Sequence, residues 1–150
     1  MKRHNQHTSS AAVLATGAEL SRRGYDVTFT LGNTPKIDML CSVPDGTPFK
    51  IQVKGISGAN GFYIDKSFFD GRAQRELFLV VVLVPLPNDD APMRFFILSH
   101  RDAKSEFSKM PKHKRDGRPY LRGSGLNWGS VKPYENAWNT FPKIHQASMH

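Results

Sequence analysis

The sequence predicts an α/β fold in which a central mixed β-sheet of about five strands is flanked by helices. Three observations support this class. Segments with helical composition occupy residues 8–24 and 100–110, and strand-like segments lie between them. The apolar run from Leu77 to Leu86 does not alternate, as expected for a central strand covered on both faces. Residues 49–54 alternate between apolar and polar, which is typical of a strand with one buried face.

The first element is a helix over residues 8–24. Threonine and serine at its start can cap free amide groups, and Arg22 and Arg23 suit its negative C-terminal end. Gly24 can end the helix. The next residues, 25–31 (YDVTFTL), alternate and are rich in β-branched and aromatic side chains, so they predict the first strand.

Two further strands are predicted at 36–43 (KIDMLCSV) and 49–55 (FKIQVKG), joined by the turn signal PDGTP. Residues 57–65 predict a loop followed by a short strand, and residues 65–76 give no clear assignment. The run at 77–85 is the best strand in the chain.

The last predicted strand covers residues 93–99, where Ser99 is the expected N-cap of the helix over 100–110. A short closing helix is predicted at 134–141. We expect one domain over 1–150, with residues 1–7 as a flexible N-terminus and residues 109–132 as a basic extended segment.

Composition indicates where the protein functions and what it binds. The longest apolar run is about half of what a bilayer-spanning helix requires, so no membrane partner is expected. The N-terminus lacks the apolar stretch of a signal peptide, and the single Cys41 has no partner for an internal disulfide, which together predict a cytoplasmic protein. Cys41 is expected to be a small buried hydrophobe, and the scattered histidines are expected to be ordinary surface residues.

The charge balance points to a polyanion partner. Lys and Arg number 21 against 13 acidic residues, which gives a net charge of +8 and a pI near 9.8. Lysine and arginine contacts to phosphate release condensed counterions, so this charge favours a nucleic-acid partner, which we expect to be DNA. A basic surface that serves only solubility is the alternative.

A basic segment with interleaved aromatic residues is the expected nucleic-acid-binding region. Its members are Lys112, Lys114, Arg115, Arg118, Arg122, Tyr120 and Trp128. The cations suit a phosphate backbone and the aromatic rings suit base stacking. An extended arm or a dimer contact would have the same composition.

Asp38, Gln52 and Lys54 are the main candidates for chemistry. Alternation along the two predicted strands can place all three on one face of the sheet. A carboxylate beside a lysine can hold a divalent metal next to an attacking water, and magnesium prefers such oxygen ligands. The alternative is a solvated strand face on which Asp38 and Lys54 form a weak cross-strand pair.

At this point the sequence resembles a known family. A helix with an internal glutamate, then GYDVTFTLGNTPKIDMLCSV, then IQVKG, is similar to the PD-(D/E)XK nuclease superfamily. That superfamily includes restriction endonucleases, archaeal Holliday-junction resolvases and Mrr-type enzymes. The resemblance covers roughly residues 8–100. It implies a restriction-endonuclease-like fold and a DNA endonuclease that depends on Mg²⁺ or Mn²⁺, and it makes a homodimer plausible.

The resemblance also assigns roles to residues of this chain. Asp38 matches the metal-binding aspartate, Gln52 stands where the second acid is expected, and Lys54 matches the lysine. Glu19 matches a glutamate that many members carry on the first helix, which makes the implied catalytic set Asp38, Gln52, Lys54 and Glu19. The implied metal ligands are Asp38, Gln52 and the carbonyl of Val53.

Two alternatives stay open. Glu19 can instead be a helix residue that pairs with Arg22 or Arg23. Gln52 carries no negative charge, so the site should bind metal less tightly than one with two acids. Some Mrr-type lineages with glutamine there are active nucleases. The second reading of the chain is a catalytically inactive nuclease-fold module that binds nucleic acid or a protein partner.

Overall fold

The computed structural model describes residues 5–30, 37–119 and 125–145. The elements of this part follow in chain order: α1 (Asn5–Arg22), β1 (Asp26–Phe29), β2 (Met39–Ser42), β3 (Pro48–Ile56), β4 (Phe62–Tyr63), β5 (Leu77–Leu83), β6 (Arg94–Ser99), α2 (His100–Ser108), β7 (Gly125–Leu126) and α3 (Trp128–Val131). Short 3₁₀ helices lie at Lys66–Phe69, Lys132–Tyr134 and Trp138–Thr140.

The central sheet has five strands in the order β1-β2-β3-β5-β6. Strand β3 pairs with β5 in parallel, and the other neighbours are antiparallel. Strands β4 and β7 form a separate antiparallel pair. The predicted α/β class with a mixed five-stranded sheet is therefore confirmed.

Each face of the sheet has its own apolar cluster. On one face, Phe49 and Ile51 of β3 pack with Ala12 and Leu20 of α1. On the other face, Leu79 of β5 belongs to a cluster that includes residues of α2 and α3. Helices on both faces explain why β5 is apolar throughout, because its alternate side chains enter different cores.

Helix α1 begins at Asn5, three residues before the predicted start at Thr8. Asn5, Gln6 and His7 include neither glycine nor proline, so nothing in them stops the helix from extending backwards. Residues 5–7 of the expected flexible N-terminus are thus helical, and residues 1–4 lie outside the described part. At the other end of the fold, the predicted cap of α2 is confirmed: the Ser99 hydroxyl accepts a hydrogen bond from the Asp102 amide at 3.0 Å.

The predicted basic extended segment, 109–132, is not extended throughout. Its last part forms β7 and α3, because Leu126 is buried in the core and Trp128 packs edge-on against Phe96. The predicted closing helix at 134–141 is also wrong in detail. Asn136 has φ +55°, a left-handed conformation that interrupts a helix, and 3₁₀ turns lie on either side of it.

No helix within the described ranges combines the length and the apolar character needed to cross a bilayer.

Candidate active site

Gln52 and Lys54 lie on the same face of β3, as the alternation predicted. They occupy the part of β3 that follows its pairing with β2, which ends at Met39–Ile51. Pairing with β5 continues to Ile56, so the backbone here stays rigid on one side. Helices of the second face cover β5 and β6, and Leu40 on neighbouring β2 is 45% exposed. The site therefore lies beside solvent on a rigid strand.

Asp38 is brought to β3 by an irregularity at the start of β2. Its amide donates to the Ile51 carbonyl at 2.8 Å, although Met39 is the residue paired with Ile51. Two consecutive residues thus oppose one, which is the pattern of a β-bulge, and bulges often redirect a side chain near functional sites. The Asp38 carboxylate consequently reaches across, and its Oδ2 accepts a hydrogen bond from the Val53 amide at 2.7 Å. It therefore lies against the peptide that joins Gln52 to Val53.

The side-chain oxygen of Gln52 is buried and unsatisfied. Among the described residues, Oε1 of Gln52 is the one buried side-chain oxygen or nitrogen without a hydrogen-bond partner. A buried acceptor without a donor costs about 1–3 kcal/mol, and most such groups in native proteins are satisfied. The described residues offer no donor to this oxygen, so it can accept from a bound group or cation.

Lys54 is a half-buried cation that has no anionic partner among the residues that the structure describes. The ion pairs found in the described part of the chain do not include it. Burial lowers the pKa of its ammonium group below the ordinary value. The weak pair with Asp38 that the sequence left open as an alternative is not formed, so the Lys54 charge is available to an anion.

Burial also perturbs Asp38. Removal from water raises the pKa of the carboxyl group, and the hydrogen bond from the Val53 amide opposes that shift. A carboxylate and an ammonium group that are both partly desolvated and not paired with each other lower the stability of the folded protein. Such perturbed pairs are concentrated at functional sites.

The oxygen atoms here suit a hard divalent cation. The Val53 amide uses Oδ2 of Asp38, which leaves Oδ1 for a metal ion. The Val53 carbonyl points to the same side of the strand as its amide, towards Asp38. These two oxygens and Gln52 Oε1 are of the ligand type that magnesium prefers, and they are the predicted metal ligands. Within the described residues no three His, Cys, Asp or Glu side chains are grouped as a metal site, so the fit depends on the amide and the backbone carbonyl.

Glu19 is engaged elsewhere. Its carboxylate accepts hydrogen bonds from Arg22 at 2.5 Å and from Arg23 at 2.9 Å, and these partners lower its pKa despite some burial. A Cβ atom at Gly55 would lie 2.7 Å from the Thr8 carbonyl, so the start of α1 adjoins the end of β3. At about 1.5 Å per residue, Glu19 lies about 16 Å farther along the helix than Thr8. Its role as a metal ligand stays a prediction that would require release of both arginines.

The residues of the expected nucleic-acid-binding region have different environments. Lys112, Lys114, Arg115 and Arg118 are exposed, and Arg118 contacts Asp116 at 3.3 Å. Trp128 is partly buried, with the Arg94 guanidinium 5.2 Å from its ring centre. Its ring is therefore part of the fold. Tyr120 and Arg122 lie outside the described residues.

A polar cleft of about 350 Å³ adjoins Lys54 at the end of β3. It is lined by Asn5, Thr8, Ser9, Lys54, Gly55, Ile56, Ser57, Gly58, Asn60, Gly61, Phe62 and Tyr63. The sequence alone did not single out the first turn of α1 or Tyr63 for this place. The alternation of Phe62 and Tyr63 was the available signal, since one of the two had to face outwards.

Comparisons with models of known protein families, with curated proteins and with solved structures find no match for this chain. The resemblance to the nuclease superfamily therefore depends on the chain's own motif and on the order of its elements.

Proposed function

We propose that the protein is a metal-dependent endonuclease that hydrolyses phosphodiester bonds in DNA. The observation that carries the proposal is the buried Oε1 of Gln52, which has no hydrogen-bond partner among the described residues. It lies on the same strand as Lys54, which forms no ion pair within that part of the chain. The Asp38 carboxylate accepts a hydrogen bond from the amide of Val53, the residue between Gln52 and Lys54 in the chain. One carboxylate, one free carbonyl oxygen and one unpaired cation form a set suited to a cation and a phosphate together.

Each residue has a separate role in this proposal. Asp38 and Gln52, with the Val53 carbonyl, hold a Mg²⁺ or Mn²⁺ ion. Such an ion, when bound, supplies Lewis-acid polarisation of the scissile phosphate and lowers the pKa of the attacking water. Lys54 places its positive charge where negative charge develops on the phosphate oxygens, and its partial desolvation strengthens that interaction.

The net charge of +8 supports a nucleic-acid substrate, because it favours association with a polyanion. The exposed lysines and arginines of 112–118 extend this positive surface. In this proposal the chain acts as a homodimer when both strands of a duplex are cut, since each protomer offers a single set of site residues.

A second candidate is a module of the same fold that binds nucleic acid without cleaving it. Gln52 favours it, because an amide oxygen attracts a divalent ion less strongly than a carboxylate. The two candidates make opposite predictions for turnover, and both predict binding that weakens with salt.

The experiment is a nicking assay on supercoiled plasmid with Mg²⁺ or Mn²⁺. The endonuclease proposal predicts conversion to open-circular and linear forms that Asp38→Ala and Lys54→Ala both abolish. Cleavage that is equal in the wild type and both variants would reject this site. A salt-sensitive gel shift without cleavage in either metal would support the binding module instead.

A further inference from the structure

The cleft beside Lys54 has the dimensions and chemistry to hold part of a nucleic-acid strand. Its volume of about 350 Å³ is at the lower end of the roughly 300–1,000 Å³ of ligand pockets. That space suits a group about the size of one nucleotide and is too small for a duplex. A base can enter it only after it leaves the stack of a duplex, or from a strand that is already single.

Among the described residues, the walls of the cleft offer hydrogen-bonding groups and one cation. Ser9 from α1 and Ser57 and Asn60 from the loop after β3 line it with polar groups. Lys54 is the cation at this cleft, and it forms no ion pair within the described part of the chain. A half-buried ammonium group without a carboxylate suits a phosphate, which would supply the missing negative charge.

One side of the cleft carries an exposed aromatic ring. Phe62 packs against the core, and alternation along β4 turns Tyr63 to the other side, where it is 46% exposed. The backbone of Tyr63 is held by its strand pairing with Gly125. The two strands approach closely there, because a Cβ atom at Gly125 would collide with the Phe62 carbonyl oxygen. An aromatic ring held on a strand beside a positively charged cleft is the arrangement on which unpaired bases stack.

We propose that this cleft binds one unpaired nucleotide of a DNA strand, with its base stacked on Tyr63 and its phosphate beside Lys54. The inference rests on the proposed function and adds a substrate class to it: DNA with single-stranded character, such as a frayed end, a flap or a flipped base. A fully paired duplex leaves the Tyr63 contact unused.

The test measures binding and needs no turnover. Fluorescence anisotropy of a labelled oligothymidylate and of a blunt duplex of equal length is recorded in EDTA for the wild type and for Tyr63→Ala, Tyr63→Phe and Leu86→Ala. Leu86 is a matched control, because it is 44% exposed, lies in the loop between β5 and β6, and is not among the residues that line the cleft. A thermal unfolding curve for each variant confirms that it folds.

Tighter binding of the single strand than of the duplex is expected. Tyr63→Ala should weaken single-strand binding by about tenfold, since stacking on one aromatic ring accounts for roughly that factor. Tyr63→Phe should retain the affinity because it keeps the ring, and Leu86→Ala should match the wild type. Equal affinity of Tyr63→Ala and wild type for the single strand, or tighter binding of the blunt duplex, overturns the inference.

The outcomes separate this inference from the proposed function. Tyr63-dependent binding without cleavage in any divalent metal would reject the endonuclease and keep the nucleotide site. Plasmid cleavage that requires Asp38, together with single-strand binding that is indifferent to Tyr63, would keep the endonuclease and reject the nucleotide site.

Discussion

Two partly buried polar clusters in this protein differ in one respect: whether the chain satisfies their hydrogen bonds. At the start of α2, His100 is fully buried; its Nδ1 accepts from the Gln74 amide at 2.9 Å and its Nε2 lies 2.7 Å from the Phe68 carbonyl. On the same helix, the Lys104 ammonium donates to the carbonyls of Phe69 and Gly71. Every one of these contacts lies within the chain, so this cluster serves the fold.

The cluster on β3 is the opposite case. Gln52 keeps a buried oxygen without a donor, and Lys54 keeps a charge without an anion in the described part of the chain. The difference indicates that burial of a polar side chain is not by itself a sign of function. What distinguishes a candidate site is a buried polar group that the protein leaves for something else to satisfy.

The largest expected effect comes from a comparison of the two lysines. Lys54→Met should lower plasmid cleavage by about a hundredfold or more, because it removes the charge that faces the phosphate. Lys104→Met should keep cleavage and lower the free energy of unfolding by about 1–3 kcal/mol, because two carbonyl groups lose their donor. Nicking assays and urea unfolding measure the two effects. Loss of cleavage in a folded Lys104→Met variant would contradict the assignment of Lys104 to the fold alone.

The contribution of the hydrogen-bonded His100 to stability can be tested by mutation and by changing the pH. His100→Leu should cost about 2–3 kcal/mol of unfolding free energy, since the Gln74 amide and the Phe68 carbonyl lose their partners. The pKa of His100 is lowered from its ordinary 6.5, chiefly by burial. The hydrogen bond with the Phe68 carbonyl opposes this shift, the charge of Lys104 adds to it, and the charge of Glu76 opposes it. The unfolded chain therefore binds the proton more tightly.

This order of pKa values fixes the sign of the pH effect. Stability from neutral His100 is present above about pH 6.5 and is lost as pH falls towards the lower pKa of the folded state. Urea unfolding from pH 7.5 down to about pH 5 should show this loss in the wild type, and a smaller loss in His100→Leu. An identical pH dependence in both proteins would count against a neutral, hydrogen-bonded His100.

Two substitutions of Gln52 should change Mn²⁺ binding in opposite directions. Gln52→Glu should tighten Mn²⁺ binding by about tenfold, because a second carboxylate is a stronger ligand, and should destabilise the metal-free protein, because two carboxylates then repel each other. Gln52→Met removes the unpartnered oxygen and should stabilise the metal-free protein while weakening Mn²⁺ binding. Calorimetric titration with Mn²⁺ measures the affinities. Equal affinities in all three proteins would place the ion elsewhere.

Asp38→Asn gives the smallest expected effect. Burial raises the pKa of Asp38, so its contribution to stability is greatest in acid and declines as pH rises through the pKa of the folded state. An asparagine oxygen can keep the hydrogen bond from Val53 without the buried charge. The variant should therefore be more stable than the wild type at neutral pH in EDTA, by up to about 1 kcal/mol, and the difference should shrink towards acid. A variant that is less stable at neutral pH would show that the carboxylate serves the fold.

The features that the sequence predicted correctly are those that depend on local patterns of residues. Alternation placed Gln52 and Lys54 on one face of β3, and the apolar run at Leu77–Leu86 identified the central strand. Ser99 was predicted as a cap because its side chain acts on its own helix. Each of these features depends on residues that are near one another in the chain.

The features that the sequence missed depend on tertiary contacts. The approach of Asp38 to the Val53 amide follows from a bulge at the start of β2, and alternation alone does not predict a bulge. The surface position expected for His100 is wrong, because the segment that buries it, 66–74, carries no periodic signal of its own. The composition of the basic segment did not predict that Trp128 packs edge-on against Phe96, a contact that forms with β7 and α3. The role of Trp128 in base stacking stays a prediction.

The central claim is that the unsatisfied oxygen of Gln52 is left for a divalent cation. A crystal of the protein soaked in Mn²⁺ and measured at the manganese absorption edge tests it directly. We expect one anomalous peak about 2.1–2.3 Å from both Oδ1 of Asp38 and Oε1 of Gln52, and its loss in crystals of Asp38→Asn. A well-ordered map with no peak there, in which Oε1 of Gln52 accepts a hydrogen bond from a protein group or a water, would contradict the claim.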